Sequence, residues 1–304
     1  MTAATTEDLL DLNPDSVTRD DVDLDLVREA LRNETDLVRD RAAAILLTFA
    51  EADPESVLPA IEEIAIGVDS DHINVTHKTL STVVLLGEDH VDELEPVVEP
   101  AVDCLYDEVS RTQAFAARAL QPVAEHHPEW LVPHTDLLLS VAQAELKDLT
   151  EDLPDKVLED PEAGEQFRNA AEEEKKQQFL ARAVAANLLY EAVDANPSSA
   201  PDVDELLDTI EDADGTVTAA MVDAIAAIAE ADPIAIEGAV ERLIELLDHP
   251  AEEVQARTVK ALGFSGDDRA VEPLRALADD PDAGDDLQAL AAETADWIEH
   301  ETTN

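Results

Sequence analysis

Apolar residues recur along this chain in steps of four, four and three. Reading from residue 38, these steps pick out Val38, Ala42, Leu46 and Phe49, then Val75, Thr79, Val83 and Leu86, then Thr112, Ala116, Leu120 and Val123. They return at Val217, Met221, Ile225 and Ile228, and again at Val254, Thr258 and Leu262, where Ser265 breaks the last position. Steps of this kind lie on one face of an α-helix. Proline punctuates the same register, with Pro59, Pro96 and Pro133 each 37 residues apart. The phrase Glu51-Ala52-Asp53-Pro54 recurs verbatim as Glu230-Ala231-Asp232-Pro233, and His127-Pro128 stands in the equivalent place. Each reads as a helix cap followed by proline at the first helical position, where the missing N–H costs nothing.

Every unit is therefore predicted to be a striped helix, a short turn, and a second helix such as residues 55–68 or 234–247. Neither helix can bury its stripe alone, so neighbouring hairpins must stack into a shared core. The pattern gives about seven hairpins, the first beginning near Val22 and the last ending near Trp297-Ile298. Residues 1–19 form an N-terminal segment expected to be partly disordered, and the array runs over residues 20–304. The register breaks once, because Pro128 and Pro197 lie 69 residues apart. The excess falls at residues 145–174, an insertion read as either an extra helix on the rim or an acidic loop.

Two segments carry a family resemblance. Val38-Arg39-Asp40-Arg41-Ala42-Ala43 and Val254-Gln255-Ala256-Arg257-Thr258-Val259-Lys260-Ala261-Leu262-Gly263 look like the second helix of a HEAT repeat. The C-terminal copy is closest to the short subtype also found in phycobilin lyases. Arg39 keeps the arginine of the family's Val-Arg pair, while Thr76, Gln113, Thr218 and Gln255 depart from it. The resemblance implies an all-α fold, an α-solenoid wound as a right-handed superhelix, with the second helices lining its concave side. It says almost nothing about activity, because such arrays serve mostly as scaffolds.

Charge changes the picture next. The chain has 19 basic and 73 acidic residues, a formal net charge of −54, and only six of the basic residues are lysine. Such self-repulsion destabilises a compact chain in dilute buffer. In molar salt the Debye length falls to roughly 3 Å and the repulsion is screened. Composition of this kind resembles cytoplasmic proteins of salt-in halophilic archaea, whose acidic surfaces hold hydrated cations. The acids are interleaved with regular apolar residues, which argues against a disordered acidic tail. The single cysteine, Cys104, rules out an internal disulfide and reads as a partly buried, inert thiol. With no leader pattern at Met1 to Asn13 and no long apolar run, the expected location is the cytoplasm, with no membrane partner.

Candidate chemistry is sparse. His126, His127 and His134, with Glu125 and Glu129, match no metal-ligand signature, and capping and packing account for His127 and His134. Paired carboxylates occur everywhere in so acidic a chain and single out no acid and base. No phosphate loop or nucleophile elbow is present, so no enzyme, no cofactor and no metal are expected. Nucleic acid needs clustered Lys and Arg, which this chain lacks. What remains is a sparse basic and aromatic track of Arg41, Lys78, Phe115 and Arg257, joined by Arg118 and Arg182. Its bland reading is pairing with Asp36, Asp40 or acids of the next repeat. Phe167, inside the insertion and outside the register, is the best single residue for a partner contact. The leading expectation is a protein-binding scaffold or adaptor. The alternative is a regulatory subunit or a lyase-like chaperone for a prosthetic group, favoured by a pocket lined by Phe115 and Tyr190.

The charge yields a first prediction. Lowering salt to about 0.1 M, where acids repel over about 10 Å, should swell or unfold the array. A far-UV circular dichroism signal unchanged on desalting would contradict this.

Overall fold

A computed structural model describes residues 5–107, 109–146, 161–211 and 215–301. Fourteen α-helices and no strand occur among the described residues. We number them α1 (Leu24–Leu31), α2 (Asp36–Ala52), α3 (Ile61–Val68), α4 (Ile73–Leu86), α5 (Glu95–Leu105), α6 (Ser110–His126) and α7 (Thr135–Gln143). Then follow α8 (Pro161–Ala195), α9 (Val203–Glu211), α10 (Gly215–Ala231), α11 (Val240–Glu245), α12 (Glu252–Ser265), α13 (Val271–Ala278) and α14 (Asp285–Glu301). The even-numbered helices are called B helices below, and α2, α4, α6, α10 and α12 among them carry the predicted stripe; the odd-numbered ones are A helices.

Packing divides the chain into two compact units, one of residues 1–130 and 145–184, the other of residues 131–144 and 185–304. In the first, α1 packs on α2, α3 on α4 and α5 on α6, while α2 packs on α4 and α4 on α6. The second repeats the plan, with α9 on α10, α11 on α12 and α13 on α14, and with α10 on α12 and α12 on α14. In these six hairpins each A helix thus covers its own B helix, and within each unit the B helices named line up side by side. This is the arrangement of an α-solenoid.

The predicted stripe is the core. Val38, Ala42, Leu46 and Phe49 are buried, and so are Val75, Thr79, Val83 and Leu86. Leu46, Val83 and Leu120 occupy the same turn of successive B helices, each at most 2% exposed. Two stripes absent from the sequence alignment appear as well: Ala181, Ala185, Leu189 and Ala192 on α8, and Leu287, Ala291, Ala295 and Ile298 on α14, all buried. Both keep the four, four, three spacing, but mostly in alanine, which marks a core face weakly. Small side chains let helices approach closely: a Cβ on Gly67 of α3 would strike Thr79 Cγ2 of α4.

Threonines within the stripe need partners for their hydroxyls. Thr79 and Thr258 donate to the carbonyls of Val75 and Val254 at 2.9 and 2.8 Å, one turn back on their own helices. Thr112 instead meets His77 Nε2 at 2.9 Å, linking α6 to α4.

The turns depart from expectation. Residues 54–60 and 233–239, predicted as the start of a second α-helix, form 3-10 helix, and α3 and α11 begin only at Ile61 and Val240. Pro59 lies inside the first of these segments and cannot donate the backbone bond of an α-turn. Asp232 caps with its side chain, accepting from Ile234 N at 3.1 Å, whereas Asp53 makes no such bond. Of the N-terminal segment, Glu7–Asp11 and Pro14–Ser16 form short 3-10 helices against α2, with Leu9 fully buried. Of the predicted insertion, residues 161–174 are the first turns of α8, which at 35 residues is about twice as long as the other B helices. Residues 147–160 lie outside the described residues.

Ion pairs stitch neighbouring hairpins within each unit. Arg28 and Arg32 both reach Glu63, each at 3.0 Å, and Arg39 joins Asp36 at 2.6 Å to Asp71 at 2.8 Å. Burial disfavours the Glu63 carboxylate, but hydrogen bonds from the two guanidiniums outweigh it and hold its pKa below the ordinary glutamate value. Arg242 pairs with Asp208 at 3.0 Å in the second unit.

Truncating Leu46 or Leu120 to alanine should cost about 3 kcal/mol of unfolding free energy, whereas Leu37→Ala, at a side chain 68% exposed, should cost under about 0.5 kcal/mol. Chemical denaturation at fixed high salt measures both; equal losses would refute the stripe assignment.

Candidate interaction surface

Three residues after the start of each buried stripe runs a second stripe, turned toward the outer side of the B helix. In the first unit it comprises Leu37 and Arg41 on α2, Lys78 and Leu85 on α4, and Arg111, Phe115 and Arg118 on α6. In the second it comprises Arg257, Lys260 and Phe264 on α12, and Leu290, Glu293 and Trp297 on α14. On α10 the corresponding Ala220, Asp223 and Ala227 are buried.

The basic column foreseen in the sequence lies on this stripe, and most of its charge is turned inward. Arg41 donates from Nη1 to the carbonyl of Leu12 and so fastens the N-terminal segment to α2. Lys78 pairs with Asp40 of the preceding B helix. Arg257 bridges Asp223 of α10 and Glu253 of its own helix, the latter at 2.7 Å. Lys78 and Arg257 thus brace successive B helices, and Arg41 ties the N-terminal segment to α2.

Around Phe115 the pattern differs. Its ring lies 5.2 Å from that of His77 and 5.5 Å from the Arg111 guanidinium, both measured between centres. Burial, and then the Arg111 charge, depress the His77 pKa below the ordinary histidine value, so the ring is neutral at neutral pH and bonds Thr112 as imidazole. Arg111 and Arg118 are exposed and form no ion pair among the described residues. Sequence reading missed Arg111 and His77, although Arg111 precedes Phe115 by one helical turn, the spacing at which side chains stack.

The other predicted residues are dispersed. Phe167 is 44% exposed on the extended part of α8, where Phe179 and Leu180 are 38% and 45% exposed. Arg182 is half-buried on the same helix in the first unit. Tyr190 belongs to the second unit, half-buried, with its phenol pKa raised by burial and then by Asp194 and Glu191. Cys104 is buried, its Sγ 3.7 Å from the Val68 carbonyl, and burial pushes the thiol up to about 12, so it stays protonated and unreactive.

Among the described residues no group of three His, Cys, Asp or Glu side chains is placed to hold a metal ion. His127, expected to cap a helix, does other work. Its Nε2 meets Asp92 at 2.7 Å and its Nδ1 meets Glu129 at 3.2 Å, while its ring stacks on Trp130 at 4.0 Å. This clamps one inter-repeat turn to the next. His126 turns back to the carbonyl of Pro122 at 3.0 Å. No helix among the described residues is long and apolar enough to cross a membrane.

Residues 203–295 match the family model described as HEAT repeats. No curated protein matches the sequence. Among solved structures, an engineered protein is 20% identical with a TM-score of 0.56, covering 97% of this chain and 71% of its own. A designed armadillo repeat protein is 20% identical with a TM-score of 0.46, covering 80% of this chain and 100% of its own. Another, solved in complex with the peptide (KR)4, is 19% identical with a TM-score of 0.47, covering 80% and 99%. At such identities the likeness concerns the fold alone. The chain is a helical repeat protein.

The clamp gives a pH prediction. The hydrogen bond that His127 donates to Asp92, reinforced by one to Glu129, raises the His127 pKa above its ordinary 6.5. Its stabilisation is therefore complete below the unfolded-state value and is lost as pH rises through the raised folded-state value. Melting temperatures of the native chain and His127→Gln should differ most at about pH 5.5 and converge toward pH 9; a gap that widened with pH would contradict this.

Proposed function

We propose that this chain is a non-catalytic scaffold that binds another protein in a salt-rich cytoplasm, as in the halophilic archaea its composition resembles. The observation that carries this reading is the exposure of Phe167, Phe179 and Leu180 on α8. A chain with 73 acidic residues has ample means to keep a helix polar, yet here it presents large apolar side chains to water. Phe179 and Leu180 are adjacent and Phe167 stands about 18 Å earlier along the same helix, so the large apolar side chains left in water are separate anchor points for a partner. The same helix extends about five turns beyond the 17 residues of α2 and α6, which gives a partner an element that the core does not use.

The second stripe of the first unit extends the reading. Phe115, flanked by Arg111 and followed by Arg118, offers an aromatic anchor and two cations with no ion pair among the described residues. Aromatic residues and arginine are the commonest energetic anchors of interfaces. In molar salt, attraction between exposed charges is weak while apolar contact is strengthened, so Phe167 and Phe115 should contribute more to affinity than the arginines. The acidic remainder holds hydrated cations and keeps the complex soluble.

Retrieval of the tagged chain from its native cells in multimolar KCl, followed by mass spectrometry, tests the proposal. A partner in constant ratio is expected, lost at least about tenfold in Phe167→Ala with no fall in melting temperature. Recovery of the chain alone at native salt would overturn the reading.

A further inference from the structure

Within the second unit, α12 and α14 enclose a groove of about 410 Å³ whose lining includes Lys260, Phe264, Leu290, Glu293 and Trp297. It is the outer stripe of these two helices and shares no residue with the surface on α8. The Lys260 ammonium lies 5.5 Å over the Phe264 ring, so this groove already holds one cation against an aromatic face, supplied by the chain itself. The ring on the opposite helix, Trp297, is 48% exposed and carries no cation among the described residues. Indole is the strongest cation–π acceptor of the side chains.

One turn before Trp297 on the same stripe stands Glu293, exposed, with neither hydrogen bond nor ion pair among the described residues. One turn further back is Leu290, 38% exposed. An apolar wall, an uncommitted carboxylate and an indole face thus follow one another along α14. That sequence matches a long aliphatic stem ending in a positive head.

We propose that this groove receives an arginine or lysine side chain from a basic segment of a partner protein, with the stem on Leu290 and the charged head between Glu293 and Trp297. This rests on the scaffold reading above and gives it a specific ligand chemistry. Charge complementarity selects the occupant. With a net charge of −54, the chain attracts basic segments and repels a second copy of itself or any anionic surface. High salt removes the long-range part of that attraction, but stem burial and cation–π contact act at touching distance and persist.

Trp130→Phe leaves Trp297 as the sole tryptophan. In this background, N-acetylated hexa-arginine amide is titrated in about 2 M KCl, where non-specific coating of the acidic surface is screened. The expected result is a saturable change in Trp297 emission that hexaglutamate does not produce. Calorimetry should show binding about tenfold weaker in Trp297→Leu and about threefold weaker in Glu293→Gln, with Phe167→Ala unchanged. Equal affinity in all variants would overturn the proposal by placing the peptide on the general acidic coat. So would sedimentation showing a dimer that Trp297→Leu dissociates. Loss of binding in Phe167→Ala alone would leave the scaffold reading standing and remove this site, whereas recovery of no partner from cells would leave the titration intact.

Discussion

Side-by-side burial of B helices is the constraint on which the rest of the structure depends. A helix of 14 to 17 residues is marginal in water, and the B helices reach that length only because a four, four, three stripe is covered on both sides. In the first unit α4 lies between α2 and α6, and in the second α12 lies between α10 and α14. The same geometry dictates the chemistry of the stripe. Large residues such as Leu46 and Leu120 fill the centre, while Ala42, Thr79 and Ala116 stand where helices come closest. Hydroxyls are admitted there because a helix offers its own carbonyl one turn back, as it does to Thr79 and Thr258.

Electrostatics is subordinate to this packing but decides what the surface can do. With 19 basic residues against 73 acidic ones, each cation is scarce, and the structure assigns most of the well-placed ones to neighbouring repeats. Glu63 holds two arginines, Lys78 reaches Asp40, and Arg257 spans Asp223 and Glu253. Where such pairs are exposed they contribute little individually, and less in salt, whereas Glu63 and Asp223 are buried carboxylates whose pairing keeps a buried charge from standing alone. Among the cations with no ion pair in the described residues, Arg111 stands against the Phe115 ring and Arg118 lies one turn further along α6.

On the proposed binding role, the outer stripes are the places where a carboxylate-rich coat gives way to apolar contact. Where α8, α6, α12 and α14 turn outward, aromatic and leucine side chains interrupt it, among them Phe115, Phe167, Leu290 and Trp297. Apolar contact is the interaction that molar salt strengthens, so such interruptions are the form a recognition surface takes when charge is screened.

The sequence by itself determined the helical class, the seven-hairpin repeat and five of the buried stripes, because spacing along a helix is a local property fixed by 3.6 residues per turn. It also determined the acidic composition, 73 Asp and Glu against 19 Lys and Arg. Only the tertiary structure decided the stripes of α8 and α14, whose alanines look alike on a core face and a solvent face until a neighbour covers one of them. It alone turned Arg41, Lys78 and Arg257 from candidate ligand contacts into braces, and His127 from a cap into a clamp. The physical reason is distance along the chain. The long-range partners Leu12, Asp40, Asp92 and Asp223 lie 29 to 38 residues away, and a repeat sequence shows which side chains recur without showing which one faces another across the stack.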